Sequence, residues 1–423
     1  MRASVLQTSA IPSLTRQPES LFSEHKFAKF DLHESLKVGL RSLAIESATQ
    51  IQAKSFVPIT LGKDVALCSE TGSGKTVAYL LPLLNRMLFQ RALKPAGGLD
   101  LLGRSSPPVV VVCPTAELCK QVVSVARSMD SQRLVSIQSL LDLGLKAEGV
   151  TVGPRIRWGA VDLVVTTPTR FAEDIERFRQ DNLAPSCVVI DEADYTLCGA
   201  TQEAMRTIVE YFRNHQRSVT TPFVFASATM PESGMRSAAS LIAQSFPTTE
   251  IVKTSKFHSV PSGIAFHWLP ELAGSWDQRC FLLTQTLGDI PETDKTLVFV
   301  NTHRNAKVLY TFLKEKKWPV VMFTKKSGGD SEHLFHEDAR VVIATDLGGR
   351  GIDYAGGVDV VVNFQMPTDS VTWLHRVGRC GRLGRTGKVI SFFKQADEAL
   401  VNQLKTRIDV GMDVESTFPS RNS

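Results

Sequence analysis

The segment Ser69-Glu70-Thr71-Gly72-Ser73-Gly74-Lys75-Thr76 sets two glycines, a lysine and a threonine hydroxyl between the apolar run Val65 to Cys68 and a helix-like stretch beginning near Val77. Glycines let the backbone curl so that its N–H groups face phosphate oxygens, and the following helix N-terminus adds partial positive charge. Lys75 then reaches the β and γ phosphates, and Thr76 can hold Mg2+. The strict form of this pattern has Gly where the chain has Ser69. A second segment, Val188-Val189-Ile190-Asp191-Glu192-Ala193-Asp194, ends an apolar run in acids. At a strand end Asp191 can bind Mg2+ directly or through water, and Glu192 can polarise an attacking water. Alone, such an end is equally a helix cap. Downstream of Lys75 it reads as the hydrolytic half of a nucleoside triphosphate site.

Positioning these groups requires a sheet, and short β-branched runs recur between helix-like stretches, the pattern of parallel sheets covered by helices. In the first half they are Val65 to Cys68, Val109 to Cys113, Val161 to Thr166, Cys187 to Ile190 and Phe223 to Phe225. In the second half they are Ile264 to Trp268, Leu297 to Val300, Val320 to Phe323, Val341 to Ala344, Val358 to Val362 and Val389 to Phe392. Each half is therefore expected to form its own sheet. The expected divisions are a tail over 1–26, a nucleotide-binding domain over 27–250, a linker over 251–262, where Thr, Ser, Lys and Pro replace the apolar pattern, and a second domain over 263–423. Leu93 to Pro108, rich in Gly and Pro, reads as a surface loop.

Composition narrows the class. A chain of 423 residues suggests two or three domains, and 43% hydrophobic with 22% charged residues excludes disordered, collagen-like and coiled-coil readings. The longest apolar runs fall far short of the ~18 residues of a membrane span, so a soluble protein without membrane contact is expected. A net charge of +5 is too mild to prove a polyanionic partner. Seven cysteines include no C-x-x-C pair and none near a His at metal-ligand spacing, which points to a reducing compartment without a zinc site. The first 18 residues hold Arg2, Arg16, five Ser or Thr and no acid. That is the composition of a mitochondrial or plastid transit peptide, and equally of a polar tail on a cytoplasmic or nuclear protein.

Asp191-Glu192-Ala193-Asp194 resembles the signature of the DEAD-box ATP-dependent RNA helicases, and ordered motifs extend the resemblance from about Phe27 to Asp397. It implies two RecA-like domains, each a parallel sheet flanked by helices, that close on ATP, Mg2+ and RNA. Phe27, Ile45 and Gln52, in Ala48-Thr49-Gln50-Ile51-Gln52, resemble the adenine-reading element, where a glutamine amide can pair with adenine N6 and N7. Pro114-Thr115-Ala116-Glu117-Leu118 and Thr167-Pro168-Thr169-Arg170 resemble motifs that grip RNA phosphates through Pro114, Thr115, Thr167, Pro168 and Arg170. Ser227-Ala228-Thr229 resembles the link between hydrolysis and unwinding, its hydroxyls expected on Asp194 and Asp191. In the second half, Asn301 and Thr345 are implied RNA contacts, and Asp353 an acceptor for the ATP ribose or else the cap of a turn. His375-Arg376-Val377-Gly378-Arg379-Cys380-Gly381-Arg382 implies coupling through His375 and arginine fingers at Arg379 and Arg382, which absorb charge in the transition state. A solvated basic face is the alternative, against which the embedded glycines argue.

Several positions depart from the family pattern. Ile45 stands where an aromatic is usual, Ala48 replaces a proline, Ala116 an arginine and Thr169 a glycine, while Gly348 and Gly349 replace alanines. The Gln-x-x-Arg segment expected before Ala344-Thr345-Asp346 is missing, since Thr324 to Ala339 holds neither residue. The resemblance thus implies a monomeric RNA-dependent ATPase that reads RNA, single strand or short duplex, by its backbone and that a protein activator can assist. Two alternatives are an ATP-gated RNA clamp with weak unwinding and, with less support from the motif set, a DNA translocase.

Overall fold

Apolar runs become strands here because alternate side chains of each run are buried on opposite faces of a sheet. The computed structural model describes residues 21–92, 107–141, 161–180, 184–214, 221–230, 237–255, 257, 260, 263–271, 275–324, 339–346, 357–381, 385–414 and 417. The first half contributes β1 (Phe22–Lys26), β2 (Ser47–Thr49), β3 (Val65–Cys68), β4 (Val109–Val112), β5 (Ile137–Ser139), β6 (Leu163–Thr166), β7 (Cys187–Asp191), β8 (Phe223–Ser227) and β9 (Glu250–Lys253). The second contributes β10 (Ile264–Pro270), β11 (Thr296–Val300), β12 (Val320–Phe323), β13 (Val341–Thr345), β14 (Val360–Asn363) and β15 (Gly387–Phe393). β1 and β2 pair antiparallel by themselves. The others form two parallel sheets, ordered β5-β6-β4-β7-β8-β3-β9 and β10-β15-β14-β11-β13-β12.

Both sheets are buried on both faces, the usual state of parallel sheets. Val65, Leu67, Val109, Val111, Leu163 and Val165 face one core with the helices Glu34–Ser42, Gln50–Thr60, Lys75–Ala92 and Ala116–Met129. Their neighbours Ala66, Cys68, Val110, Val112 and Val164 face another with Pro168–Gln180, Gln202–Asn214 and Ala238–Ser245. The second sheet repeats this, with Trp373 and Leu404 under one face and Leu283 and Leu309 under the other. Two parallel sheets flanked by helices are thus the expected architecture.

The differences lie at the sheet margins. Phe22–Lys26, expected in the tail, is a strand, held by the register Phe22 opposite Thr49 and Lys26 opposite Ser47. Its mostly exposed residues carry no apolar alternation to betray it. Glu250–Lys253 pairs with β3, so the first sheet runs three residues into the expected linker. β5, three residues long, is too short to show a period. Most of the expected loop Leu93 to Pro108 lies outside the described residues. Among the described residues no helix is long and apolar enough to cross a membrane.

Gly39 fixes how the helix Glu34–Ser42 meets the end of Ala116–Met129, since a Cβ there would overlap the Met129 carbonyl oxygen. Alanine would gain about 1 kcal/mol of helix propensity, but the backbone shift it forces costs about 1–3 kcal/mol. Gly39→Ala is therefore expected to lower the thermal midpoint by a few degrees, and an unchanged or higher midpoint would show that this helix contact yields freely.

Candidate active site: a cleft between the two halves

In a parallel sheet the carboxyl ends of the strands share one edge, and ligands bind there. The loops after β3, β4, β6, β7 and β8 carry the phosphate-binding segment, Pro114-Thr115, Thr167-Pro168, Glu192 and Ala228-Thr229 respectively. A cleft of about 710 Å3 opens at this edge, lined from the first half by Thr71, Gly72, Gly74, Lys75, Thr76, Asp191 and Glu192 and from the second by Gly357, His375, Arg379 and Arg385. Its size is that of a small-ligand site.

The phosphate-binding segment turns at Gly72 (φ 75°) and Gly74 (φ 84°), in the left-handed region that favours glycine. Ser69 is buried and shares a 2.6 Å hydrogen bond with Ser73, so its hydroxyl stabilises the loop from within. Lys75 opens the helix Lys75–Ala92 and donates to the carbonyl oxygens of Ser69 (2.7 Å) and Glu70 (2.8 Å). Burial holds its ammonium below the ordinary lysine value, with Glu70 and Asp191 opposing the shift. The Glu70 carboxylate accepts from the Thr254 hydroxyl at 2.9 Å, which ties the loop to the residue just after β9.

Asp191 ends β7, buried, and accepts from the Tyr79 hydroxyl (2.8 Å) and from the Glu192 N–H (2.9 Å). Burial, then the neighbouring Glu192 charge, raise its carboxyl to about 6. Glu192 takes a left-handed backbone (φ 45°, ψ 54°), sparsely populated for a residue with a side chain. From there its Oε1 lies 3.8 Å from the Arg379 guanidinium of the second half.

Asp194 joins the halves. Its Oδ2 accepts from the Thr229 hydroxyl and from His375 Nε2, the latter at 3.0 Å. Thr229 therefore meets the acid expected of it, but Ser227 does not. The Ser227 hydroxyl donates to the Thr229 carbonyl within its own turn, and Asp191 takes Tyr79 instead. Tyr79 carried no signal in the sequence because its spacing reads as an ordinary buried helix face.

On the adenine side the Gln52 amide lies at the cleft but is engaged internally. Its Oε1 accepts from the Thr49 N–H (2.9 Å) in a capping box, and its Nε2 donates to the Gly74 carbonyl (3.2 Å). Ile45 lines the cleft, whereas Phe27 does not. The Phe27 ring is buried in the core, its centroid 5.5 Å from that of Phe30, while its N–H holds the Glu46 carbonyl. Phe27 thus supports the loop that carries Ile45, and Phe22 lines the cleft.

The residues expected on RNA fall in pairs at neighbouring strand ends. Val112 pairs with Thr166 in register, bringing Pro114-Thr115 beside Thr167-Pro168. Val300 pairs with Thr345, bringing Asn301 beside it. Thr115 caps its helix by accepting from the Leu118 N–H, and Pro168 and Thr345 are buried. Arg170 is held by Glu173 and Asp174 of its own helix, each at 3.4 Å. Arg376, only 1% exposed, is no part of a solvated basic face. It donates to both Asp346 carboxylate oxygens (2.5 and 2.9 Å), to the Gln365 carbonyl (2.7 Å) and to Asn301 Oδ1 (2.7 Å). This planar fork fixes Asn301, a role that the repeated arginine spacing concealed. Asp353, Arg382 and most of Thr324 to Ala339 lie outside the described residues.

Residues 49–237 match the family model for DEAD/DEAH box helicases, and residues 279–384 the helicase conserved C-terminal domain. The chain is 30% identical over 419 residues to DEAD-box ATP-dependent RNA helicase 39 of Arabidopsis thaliana, covering 92% of this chain and 62% of that protein. It is 30% identical over 394 residues to ATP-dependent RNA helicase vasa of Drosophila melanogaster, covering 89% and 54%. The chain thus spans less than two thirds of the length of these relatives. Among solved structures, Dbp5 of S. cerevisiae bound to RNA and ADP BeF3 superposes with a TM-score of 0.70 at 21% identity, covering 93% of this chain and 100% of that one. Mss116 bound to ssRNA and UDP-BeF gives 0.72 at 18% identity, covering 92% and 79%. These likenesses show a shared fold.

The raised Asp191 carboxyl has a thermodynamic consequence for the nucleotide-free protein. The folded group keeps its proton to a higher pH than the unfolded one, so its contribution to stability is fully present below the ordinary value of 3.8 and is lost as pH rises through about 6. Asparagine keeps an oxygen for the Glu192 N–H and can donate to the Tyr79 oxygen, without the charge. Asp191→Asn is therefore expected to be more stable than wild type at pH 8, by on the order of 1–3 kcal/mol, with a smaller difference at pH 5. Urea unfolding without nucleotide or Mg2+ measures it, and an equal gap at both pH values would remove buried charge as the cause.

Proposed function

The chain belongs to the DEAD-box helicase family, and from that premise we propose that it is an ATP-dependent RNA helicase, an RNA-dependent ATPase that remodels RNA or ribonucleoprotein. The observation that carries this reading is one cleft holding Lys75, Asp191 and Glu192 opposite Arg379. The triphosphate lies against the backbone of Thr71 to Thr76, and Lys75 exchanges the carbonyls of Ser69 and Glu70 for phosphate oxygens. Asp191 and the Thr76 hydroxyl are the hard oxygen donors that Mg2+ accepts, and the raised Asp191 carboxyl fits a site whose charge a cation would balance. A Mg2+ held by these two groups would supply charge neutralisation at the phosphates. Glu192 orients the attacking water, and Arg379, with Arg382 as a second finger, absorbs charge that develops on the γ phosphate. His375 and Thr229, both on Asp194, carry closure of the halves to the hydrolytic strand end.

RNA is the proposed partner because both relatives are named RNA helicases and both solved neighbours hold RNA. Recognition runs along the backbone, through Thr115, Thr167 and Asn301, so a sequence-independent grip on a single strand or short duplex is proposed. A second reading, an ATP-gated clamp with weak unwinding, is favoured by the state of the cations on this face. Ala116 offers none, and Arg170 is paired with Glu173 and Asp174. Each lost phosphate contact removes about 0.7 of a counterion released from a single strand, which weakens affinity and flattens its salt dependence.

The test is to measure ATP turnover and duplex separation on one preparation at several salt concentrations, beside a family member that keeps the full motif set. RNA should stimulate turnover while duplex separation per ATP stays below that of the reference enzyme. Glu192→Gln should bind ATP yet turn it over at least about 100-fold more slowly. Turnover indifferent to RNA would sink the helicase reading, and equal separation per ATP would sink the clamp.

We also propose that the acid-free start directs the protein to a mitochondrion or plastid. Phe22–Lys26 and the Leu21 carbonyl, which accepts from the Gln50 N–H, belong to the folded body, which limits a removable leader to residues 1–20. A fluorescent protein carrying residues 1–20 should enter one of these organelles, whereas a diffuse signal would favour a cytoplasmic or nuclear protein.

A further inference from the structure

The base side of the cleft has an unusual make-up. Ile45 stands where the family usually has an aromatic, and its side chain packs half-buried against the core of the first half. A branched aliphatic group covers a base face by contact alone, without the π-surface on which bases stack. The same cleft is lined by a ring from another element, Phe22, the first residue of β1.

Two observations point this ring at the base. The first is position. β1 sets Phe22 opposite Thr49, the residue whose N–H the Gln52 amide holds at 2.9 Å, and the neighbouring Leu21 carbonyl accepts from the Gln50 N–H at 3.1 Å. The ring is thus anchored beside the amide proposed to read adenine and shares the cleft with Ile45 and Thr76. The second is exposure. Of the other rings of this corner, Phe27 and Phe56 are 5% and 8% exposed and Phe30 is half-buried, whereas Phe22 is 43% exposed. A large ring left this open on a cleft wall has area for a ligand to cover.

We propose that Phe22 is the residue on which the adenine of ATP stacks in this chain, supplying from β1 the aromatic face absent at Ile45. This rests on the ATP reading above and adds a residue to it. β1 is then part of the nucleotide site, so the site begins five residues before Phe27. It also divides the work at the base: Gln52, through the second lone pair and second N–H that its contacts to Thr49 and Gly74 leave, would read the edge of adenine, and Phe22 would cover a face whichever base is present. Loss of Phe22 should weaken every nucleoside triphosphate by a similar factor.

Binding of AMP-PNP and of inorganic tripolyphosphate to the full chain with Mg2+, measured by titration calorimetry, tests the proposal. Phe22→Ala should raise the AMP-PNP Kd about tenfold, the loss of one stacked base, and leave tripolyphosphate unchanged. Adding Ile45→Phe to Phe22→Ala should restore most of that loss by placing a ring at the usual position. An unchanged AMP-PNP Kd for Phe22→Ala would overturn the proposal, as would equal weakening of AMP-PNP and tripolyphosphate, which would mark Phe22 as a support of the hairpin. Wild type that binds tripolyphosphate but shows no preference for AMP-PNP over it would overturn both Phe22 and Gln52 as base contacts while leaving the phosphate site standing. Wild type that binds neither would overturn the nucleotide reading itself.

Discussion

Everything in the cleft depends on one buried carboxylate, Asp194, whose donors come from both halves of the molecule. An ionised acid taken out of water costs several kcal/mol unless its oxygens are met by donors, and truncating one partner leaves that cost exposed. Thr229 supplies a donor from the strand end beside β7, and His375 supplies one across the cleft. The imidazole contact exists only while the halves are together. Closure is thereby written into the hydrogen bonding of the same short segment that carries Asp191 and Glu192. With Asp194 as the pivot, the approach of Gly378 to Thr71, where a Cβ would overlap the threonine side chain, and that of Arg379 to Glu192 follow from the same helix.

The charges around this pivot are matched internally. Lys75 is turned onto the carbonyls of its own loop, Asp191 leans on a phenol and a backbone N–H, and Arg379 faces Glu192. On the proposed reading, entry of a triphosphate is an exchange of partners and does not fill bare charges. Lys75 would trade carbonyl oxygens, and Arg379 the Glu192 carboxylate, for phosphate oxygens, which would free Glu192 to address water. The internal contacts already involve ionised groups, so the exchange would be offset by the larger charge of the phosphate oxygens and not by a change from neutral to charge-assisted bonding. Glu192 keeps its strained backbone throughout, because the turn into the helix Ala193–Cys198 is what aims its side chain into the cleft.

Much of this was legible in the sequence, for a physical reason: parallel strands buried on both faces must be continuous apolar runs, and the residues after them must lie on one edge. Lys75, Asp191 and Glu192 could be placed on that logic, whereas the roles of Asp194 and Arg379 came from the family resemblance, Arg379 following a helix and not a strand. What escaped was whatever lacks a periodic signature. β1 is polar and exposed, β5 is three residues long, and β9 looks like linker until it pairs with β3. At the site, Phe27 was drawn to the cleft by its motif although burial claims it, and Tyr79 was hidden on an apolar helix face. Spacing shows that a group can reach a site, but the competition for hydrogen bonds decides which one does. Ser227 illustrates this, since its hydroxyl finds the Thr229 carbonyl nearer than any acid.

That competition also separates the two faces of the protein. Arg376 and Arg379 are three residues apart, and a uniform helix surface would give them similar surroundings. The helix Ser370–Val377 ends between them, with Gly378 as its cap, so the chain turns and sends the two guanidinium groups to different tasks. Arg376 goes inward, where Asp346, Gln365 and Asn301 satisfy its donors, and Arg379 goes to the cleft. Asn301 is consequently held by the same helix that carries His375. On the proposed reading, a shift of that helix on closure would move the expected RNA contact and the ATP-side pivot as one rigid piece. In the proposed function the coupling of the two sites would be the stiffness of this two-turn helix, pinned at one end by the buried Arg376 and at the other by the Asp369 side chain on the Thr372 N–H.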